Sequence, residues 1–146
     1  MSTPGLVVLA VALVVTAGAA WWLRTRDGTV RTGREEGDVT PQTVLAGLGV
    51  RAEDADLTVV QFSTAFCGPC RATRARLHQL QTTRPGLAYV HVDAESHLDE
   101  VRALGVRSTP TLFFLDRSGA VLGRADHAPA AGELTALVDA RLGAGR

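Results

Sequence analysis

From Leu57 onward the apolar residues switch repeatedly between strand-like and helix-like patterns, and this order restricts the fold more than any other feature of the chain. Leu57-Thr58-Val59-Val60-Gln61-Phe62 is a short, β-branched apolar run and predicts a buried strand. Arg71 to Gln81 carries Ala72, Ala75, Leu77 and Leu80 in a helix-like pattern. Pro85-Gly86 breaks the chain, and LAYVHV from Leu87 to Val92 predicts the next strand. Ser96-His97-Leu98-Asp99 has the form of a capping box, with Leu98, Val101 and Leu104 as the buried stripe and Gly105 as the stop. Thr111 to Leu115 and Ala120 to Leu122 flank Asp116-Arg117-Ser118-Gly119, a hairpin signature. Pro129 is placed to open a last helix with Leu134, Leu137, Val138 and Leu142 on one face. Thr43 to Leu48 reads as a short first strand or a turn.

The resulting order, β-α-β-α-β-β-α, belongs to the α/β class: a mixed sheet covered by helices on both faces. Residues 41–146 suffice for one core of that kind. Ahead of them, Leu6 to Leu23 (LVVLAVALVVTAGAAWWL) contains no charge and ends on Trp21 and Trp22, residues that favour a membrane interface. A transmembrane helix is expected over 5–23. A cleaved leader is the rival, since Ala17-Gly18-Ala19 fits a small-x-small site, but no Lys or Arg precedes Leu6 to make a positive n-region. Residues 24–40 are polar, charged and dotted with glycine, as in a flexible juxtamembrane linker. Arg24, Arg26, Arg31 and Arg34 follow the span, so the positive-inside rule puts the C-terminal side in the cytoplasm, with an extracytoplasmic domain as the alternative. A single-pass cell-membrane protein is therefore expected. Formal net charge is zero, which gives no reason to expect a nucleic-acid partner. All fifteen basic residues are Arg, so arginine clusters carry less functional weight than usual.

Cys67-Gly68-Pro69-Cys70 contains both cysteines and lies between a predicted strand and a predicted helix. Free N–H groups and the dipole at a helix start stabilise a thiolate, which is the nucleophile of disulfide exchange. Pro69 suits the first helical turn, where its missing N–H costs nothing. Cys70, one turn further in, is placed to attack a mixed disulfide formed at Cys67. A zinc site wants about four ligands, and His78, His91, His97 and His127 form no pair at finger spacing. A purely structural disulfide across so short a loop would stabilise little. Redox exchange is the better reading, and no metal or other cofactor is called for.

FCGPC after a buried strand, followed by Gly105-Val106-Arg107-Ser108-Thr109-Pro110-Thr111 before another, resembles the thioredoxin family over roughly Pro41 to Leu142. The resemblance implies a thioredoxin-like domain in 41–146 that exchanges thiols and disulfides. Cys67 would be the attacking thiol and Cys70 the resolving one. Pro110 would be the family's cis-proline, with Thr109 offering backbone to an extended substrate. Phe66, Gly68 and Pro69 would complete the surface that meets a protein disulfide. Arg71, in the first turn of the helix, would help to lower the pKa of Cys67; Arg74 and Arg76 read as a solvated face.

Two departures stand out. Phe66 occupies the family's usual Trp position and keeps an apolar surface without the indole donor. Gln61 occupies the place of the family's buried Asp, and Tyr89 that of its Lys. Gln cannot titrate, so proton transfer to Cys70 is expected to run through water or another base, unless the pair was replaced as a unit by neutral packing. His91 and Asp93 share a strand face, but no catalytic partner is evident for them in the sequence. The function expected is a membrane-tethered reductase of protein disulfides with an unidentified electron donor or acceptor. A different class, a thiol-based metal- or haem-delivery chaperone, is the alternative, and a structural membrane partner is a weaker third.

Overall fold

The computed structural model describes residues 40–144. The expected span over 5–23 and the linker up to residue 39 lie outside the described residues. Among the described residues no helix is long and apolar enough to cross a membrane.

Helix α1 (Pro41–Gly47) comes first, followed by a 3-10 turn (Ala52–Asp54) and strand β1 (Leu57–Ser63). Helix α2 (Gly68–Thr83), β2 (Leu87–Asp93), α3 (Leu98–Ala103), β3 (Thr111–Asp116), β4 (Val121–Ala125) and α4 (Ala131–Ala144) complete the fold. The four strands stand in the order β2-β1-β3-β4. β1 is parallel to β2 and antiparallel to β3, and β3 and β4 form the hairpin. The α/β class with a mixed sheet is as the alternating pattern predicts.

Every residue of β1 is buried, as befits a central strand covered on both faces. Its side chains alternate between two cores. Val60 and Phe62 join Phe113, Leu115 and Val92 beneath Leu45 of α1 and Leu104. Leu57 and Val59 join Leu112, Phe114 and Leu87 beneath Leu77 of α2 and Leu134 and Val138 of α4. Gln61 and Ser63 follow Leu57 and Val59 on that second face, so the strand turns polar as it reaches the start of α2.

Residues 43–48, read as a strand or turn, instead lie in and just past α1. The start signal is Thr40, whose hydroxyl accepts from the Thr43 N–H at 3.2 Å, followed by Pro41 at the first helical positions. Ser96 does not cap α3. The helix begins on His97 without a side-chain cap, because the Ser96 hydroxyl donates to Asp93. Gly105, φ +59°, ends that segment as expected. The last helix starts two residues beyond Pro129, where the Glu133 carboxylate accepts from the Ala130 N–H at 3.3 Å.

Candidate active site

Helix α2 starts at Gly68, earlier than the apolar pattern alone indicates, because Cys67 is its N-cap. The Cys67 sulfur accepts from the Cys70 N–H at 3.2 Å, occupying one of the donors a helix start leaves free. Cys67 and Cys70 are joined by a disulfide with their Cα atoms 5.2 Å apart. Their environments differ: Cys67 is half-buried, and Cys70 is only 2% exposed. Gly68 and Pro69 are exposed between them, and Phe66 stands 97% exposed just ahead. The Arg71 guanidinium curls back over the helix start, 4.0 Å from where a side chain on Gly68 would begin.

The Thr109–Pro110 bond is cis, and Pro110 is buried. Thr111 pairs with Phe62, so the antiparallel register carries Thr109 and Pro110 to the same end of β1 as the cysteines.

Gln61 is wholly buried, and both its polar side-chain atoms are hydrogen-bonded. Its Nε2 donates to the Cys70 carbonyl at 3.0 Å, and its Oε1 accepts from the Tyr89 hydroxyl at 3.1 Å. Gln61 and Tyr89 are thus bonded to each other as a neutral pair. Burial pushes the Tyr89 phenol up, against a smaller downward pull from Arg74.

Beside the cysteines lies a cavity of about 360 Å³. Cys67, Cys70, Arg71 and Arg74 line it from α2, Ser63 from β1, and His91 and Asp93 from β2. Ser63 Oγ is hydrogen-bonded to His91 Nε2. Desolvation and the Arg74 cation hold His91 below the ordinary imidazole range, with Asp93 opposing them. Asp93 itself is held low by its bonds from the Ser96 hydroxyl and the Glu95 N–H.

Of the residues singled out from sequence, Cys67, Cys70 and Arg71 meet at this cavity, while Phe66 and Pro69 face solvent beside it. Arg74 departs from the expected solvated face. It is half-buried, and its Nε is enclosed without a hydrogen-bond partner. Ser63 and His91 were not expected in the site. The available sign was that Ser63 follows Gln61 at strand period, two polar positions closing an apolar run. Among the described residues no group of three or more His, Cys, Asp or Glu side chains is placed to hold a metal ion.

The thioredoxin family model matches residues 49–140. This chain belongs to the thioredoxin family. It is 32% identical over 63 residues to thioredoxin H4-1 of rice, an alignment covering 43% of this chain and 48% of that one. It is 36% identical over 66 residues to thioredoxin-2 of Dictyostelium discoideum, covering 45% and 74%. Thioredoxin f2 of Chlamydomonas reinhardtii superposes with a TM-score of 0.54 at 25% identity, over 62% of this chain and 85% of that structure. The chain spans about half the length of the rice relative it matches.

Proposed function

We propose that this chain is a membrane-tethered thiol–disulfide oxidoreductase that reduces protein disulfides. The observation that carries the reading is the unequal burial of its two cysteines at a helix start: Cys67 within reach of solvent, Cys70 beneath it. Family membership supports the same chemistry.

In the dithiol form, the Cys67 thiolate attacks one sulfur of a substrate disulfide. The second substrate sulfur leaves as a thiolate, and Cys67 is held in a mixed disulfide. Cys70, once deprotonated, attacks Cys67 Sγ. The Cys67–Cys70 bond forms, and the bond to the substrate breaks with its electron pair on the substrate sulfur. Two electrons pass from the cysteine pair to the substrate, and an external dithiol donor must restore them. The helix start and Arg71 favour the anionic sulfur at Cys67. Exposed Phe66 and Pro69, with half-buried Thr109 across the sheet end above buried Pro110, offer a surface to an extended substrate.

The uncharged run over 5–23 and the arginines behind it support a single-pass anchor with the domain on the cytoplasmic side, where the compartment favours reduction. Both parts can be tested at Cys67. The full-length protein should reduce a model protein disulfide with dithiothreitol as donor, and Cys67→Ser should remove that activity. Retention of the rate in Cys67→Ser would sink the oxidoreductase reading. In intact cells the reduced thiol should escape a membrane-impermeant reagent until lysis; labelling before lysis would reverse the topology.

A further inference from the structure

Gln61 donates to the Cys70 carbonyl and cannot accept and release a proton at neutral pH. Yet a resolving thiol that is 2% exposed must lose its proton before it can attack. We propose that His91, acting through the Ser63 hydroxyl, is the relay that takes this proton from Cys70 and returns it when the disulfide is reduced. The proposal rests on the oxidoreductase reading and names the base that reading lacks.

The geometry is that of one half-open cleft reached from three elements, with Cys70 at its buried side and His91 at its exposed side. Cys70 opens into it from the first turn of α2, Ser63 from the end of β1 and His91 from β2. Parallel pairing sets Gln61 opposite His91 and Ser63 opposite Asp93, so all four project to the face on which α2 begins. Ser63 is buried and bonded to His91 Nε2. A hydroxyl both donates and accepts, so it can pass a proton on while taking one up.

The other charged groups facing this space are poorer candidates. Arg71 and Arg74 offer only N–H donors and no acceptor for the thiol proton. Asp93 has both carboxylate oxygens occupied, one by the Ser96 hydroxyl and the other by the Glu95 N–H, and is held in its ionised form. Glu95 is exposed, and its carboxylate accepts from the Ala65 N–H at 3.4 Å. The Tyr89 hydroxyl is spent on Gln61 and titrates too high. His91 is the remaining titratable side chain on this space, and desolvation, with the Arg74 cation adding to it, favours the uncharged ring that can accept.

In the resolving step the proton on Cys70 Sγ passes to His91 Nε2 through Ser63 Oγ or through solvent in the cavity. The Cys70 thiolate then attacks Cys67 Sγ. The imidazolium surrenders the proton to the departing substrate thiolate or to solvent, and no further oxidant or reductant is needed.

The test uses the reduced full-length protein and a dithiobis-nitrobenzoate probe. Attack by Cys67 releases one coloured thiolate, and attack by Cys70 on the resulting mixed disulfide releases the second. His91→Gln should slow the second release roughly tenfold to a hundredfold near pH 7 and remove its histidine-range inflection. The slowing should fall on the second release and not on the first. Ser63→Ala should slow the same step. Second-release profiles that overlay the wild type between about pH 5 and pH 9 in both variants would overturn the relay. If either variant fails to fold, the wild type decides by NMR. A His91 titration that shifts between dithiol and disulfide forms supports the relay, and identical titrations overturn it. Probe chemistry reports this step even if Cys67→Ser shows that the chain is not a protein-disulfide reductase, so the two readings fail separately.

Discussion

Gln61 and Asp116 sit near opposite ends of the paired strands β1 and β3, and each uses one side chain to hold backbone in place. Gln61 is completely buried, fixing the Cys70 carbonyl and the Tyr89 hydroxyl with a neutral amide. Asp116 is at the hairpin, where Oδ1 accepts from the Ser118 N–H at 2.9 Å, the Ser118 hydroxyl at 2.6 Å and the Ala120 N–H at 3.0 Å. Gly119, φ +81°, closes that turn in a conformation a side chain would strain. The difference follows from solvation. A carboxylate at the surface keeps part of its hydration while it gathers N–H donors. The same charge under α2 would lose that hydration and face a carbonyl oxygen of like polarity. The protein thus puts an ionised acceptor where water helps it and a neutral bridge where water is excluded.

Putting the charge in the wrong place should have the largest effect. Gln61→Asp shortens the side chain, breaks the bridge and buries a carboxyl beside the Cys70 carbonyl without a cation bonded to it. Burial raises its folded-state pKa above the unfolded value of about 3.9. The folded state then holds a proton that the unfolded state has released, so stability falls as pH rises through that interval. Urea unfolding should show a deficit of about 3 to 4 kcal/mol at pH 8, for a shift of roughly three pKa units, and a clearly smaller deficit near pH 4. An equal deficit at both values would mean that packing, not buried charge, explains the choice of Gln.

Removing one half of the neutral bridge is the intermediate case. Tyr89→Phe keeps the ring and its edge-on contact with His78, at 5.1 Å between centroids, but leaves Gln61 Oε1 buried without a donor. A stranded buried acceptor costs about 1 to 2 kcal/mol. Chemical denaturation reads it directly, and a change of only a few tenths would show that solvent already reaches that oxygen.

The same contrast explains what the sequence made legible. Strands β1, β2 and β3 and the hairpin follow from local apolar period and turn residues and lie where those signals place them, whereas the helix after the cysteines starts three residues ahead of its apolar pattern. The thiol pair and Thr109-Pro110 were equally plain, being motifs whose residues are close in the chain. Helix α1 was missed because its signal is one capping Thr and one Pro on a very short segment. The site's polar lining was missed for a different reason. Ser63 and His91 are 28 positions apart and become partners only through the β1–β2 register, which neither strand states alone. Strand period puts His91 and Asp93 on one face without stating what faces them. Arg74 reads as a solvated residue on an arginine-rich helix, and its half-burial near Tyr89 and His91 is set by packing between elements that the helix sequence does not state.

At the surface end the expected effect is smallest and runs oppositely with pH. Its hydrogen bonds hold the Asp116 carboxyl below the ordinary range, the Ser118 hydroxyl contributing most. A depressed folded-state pKa gives stability that is present above the unfolded value and lost as pH falls through the folded one. Asp116→Ala should therefore cost about 1 kcal/mol at pH 7, a modest figure because water replaces much of what the turn donors lose. The wild-type advantage should shrink on acidification below about pH 3.9, as the carboxyl takes up a proton and stops attracting those donors. Urea unfolding of both proteins at neutral and strongly acid pH measures the difference. An advantage that persists undiminished in acid would show that Asp116 acts through turn shape alone, and the contrast with Gln61 would then be one of geometry and not of charge.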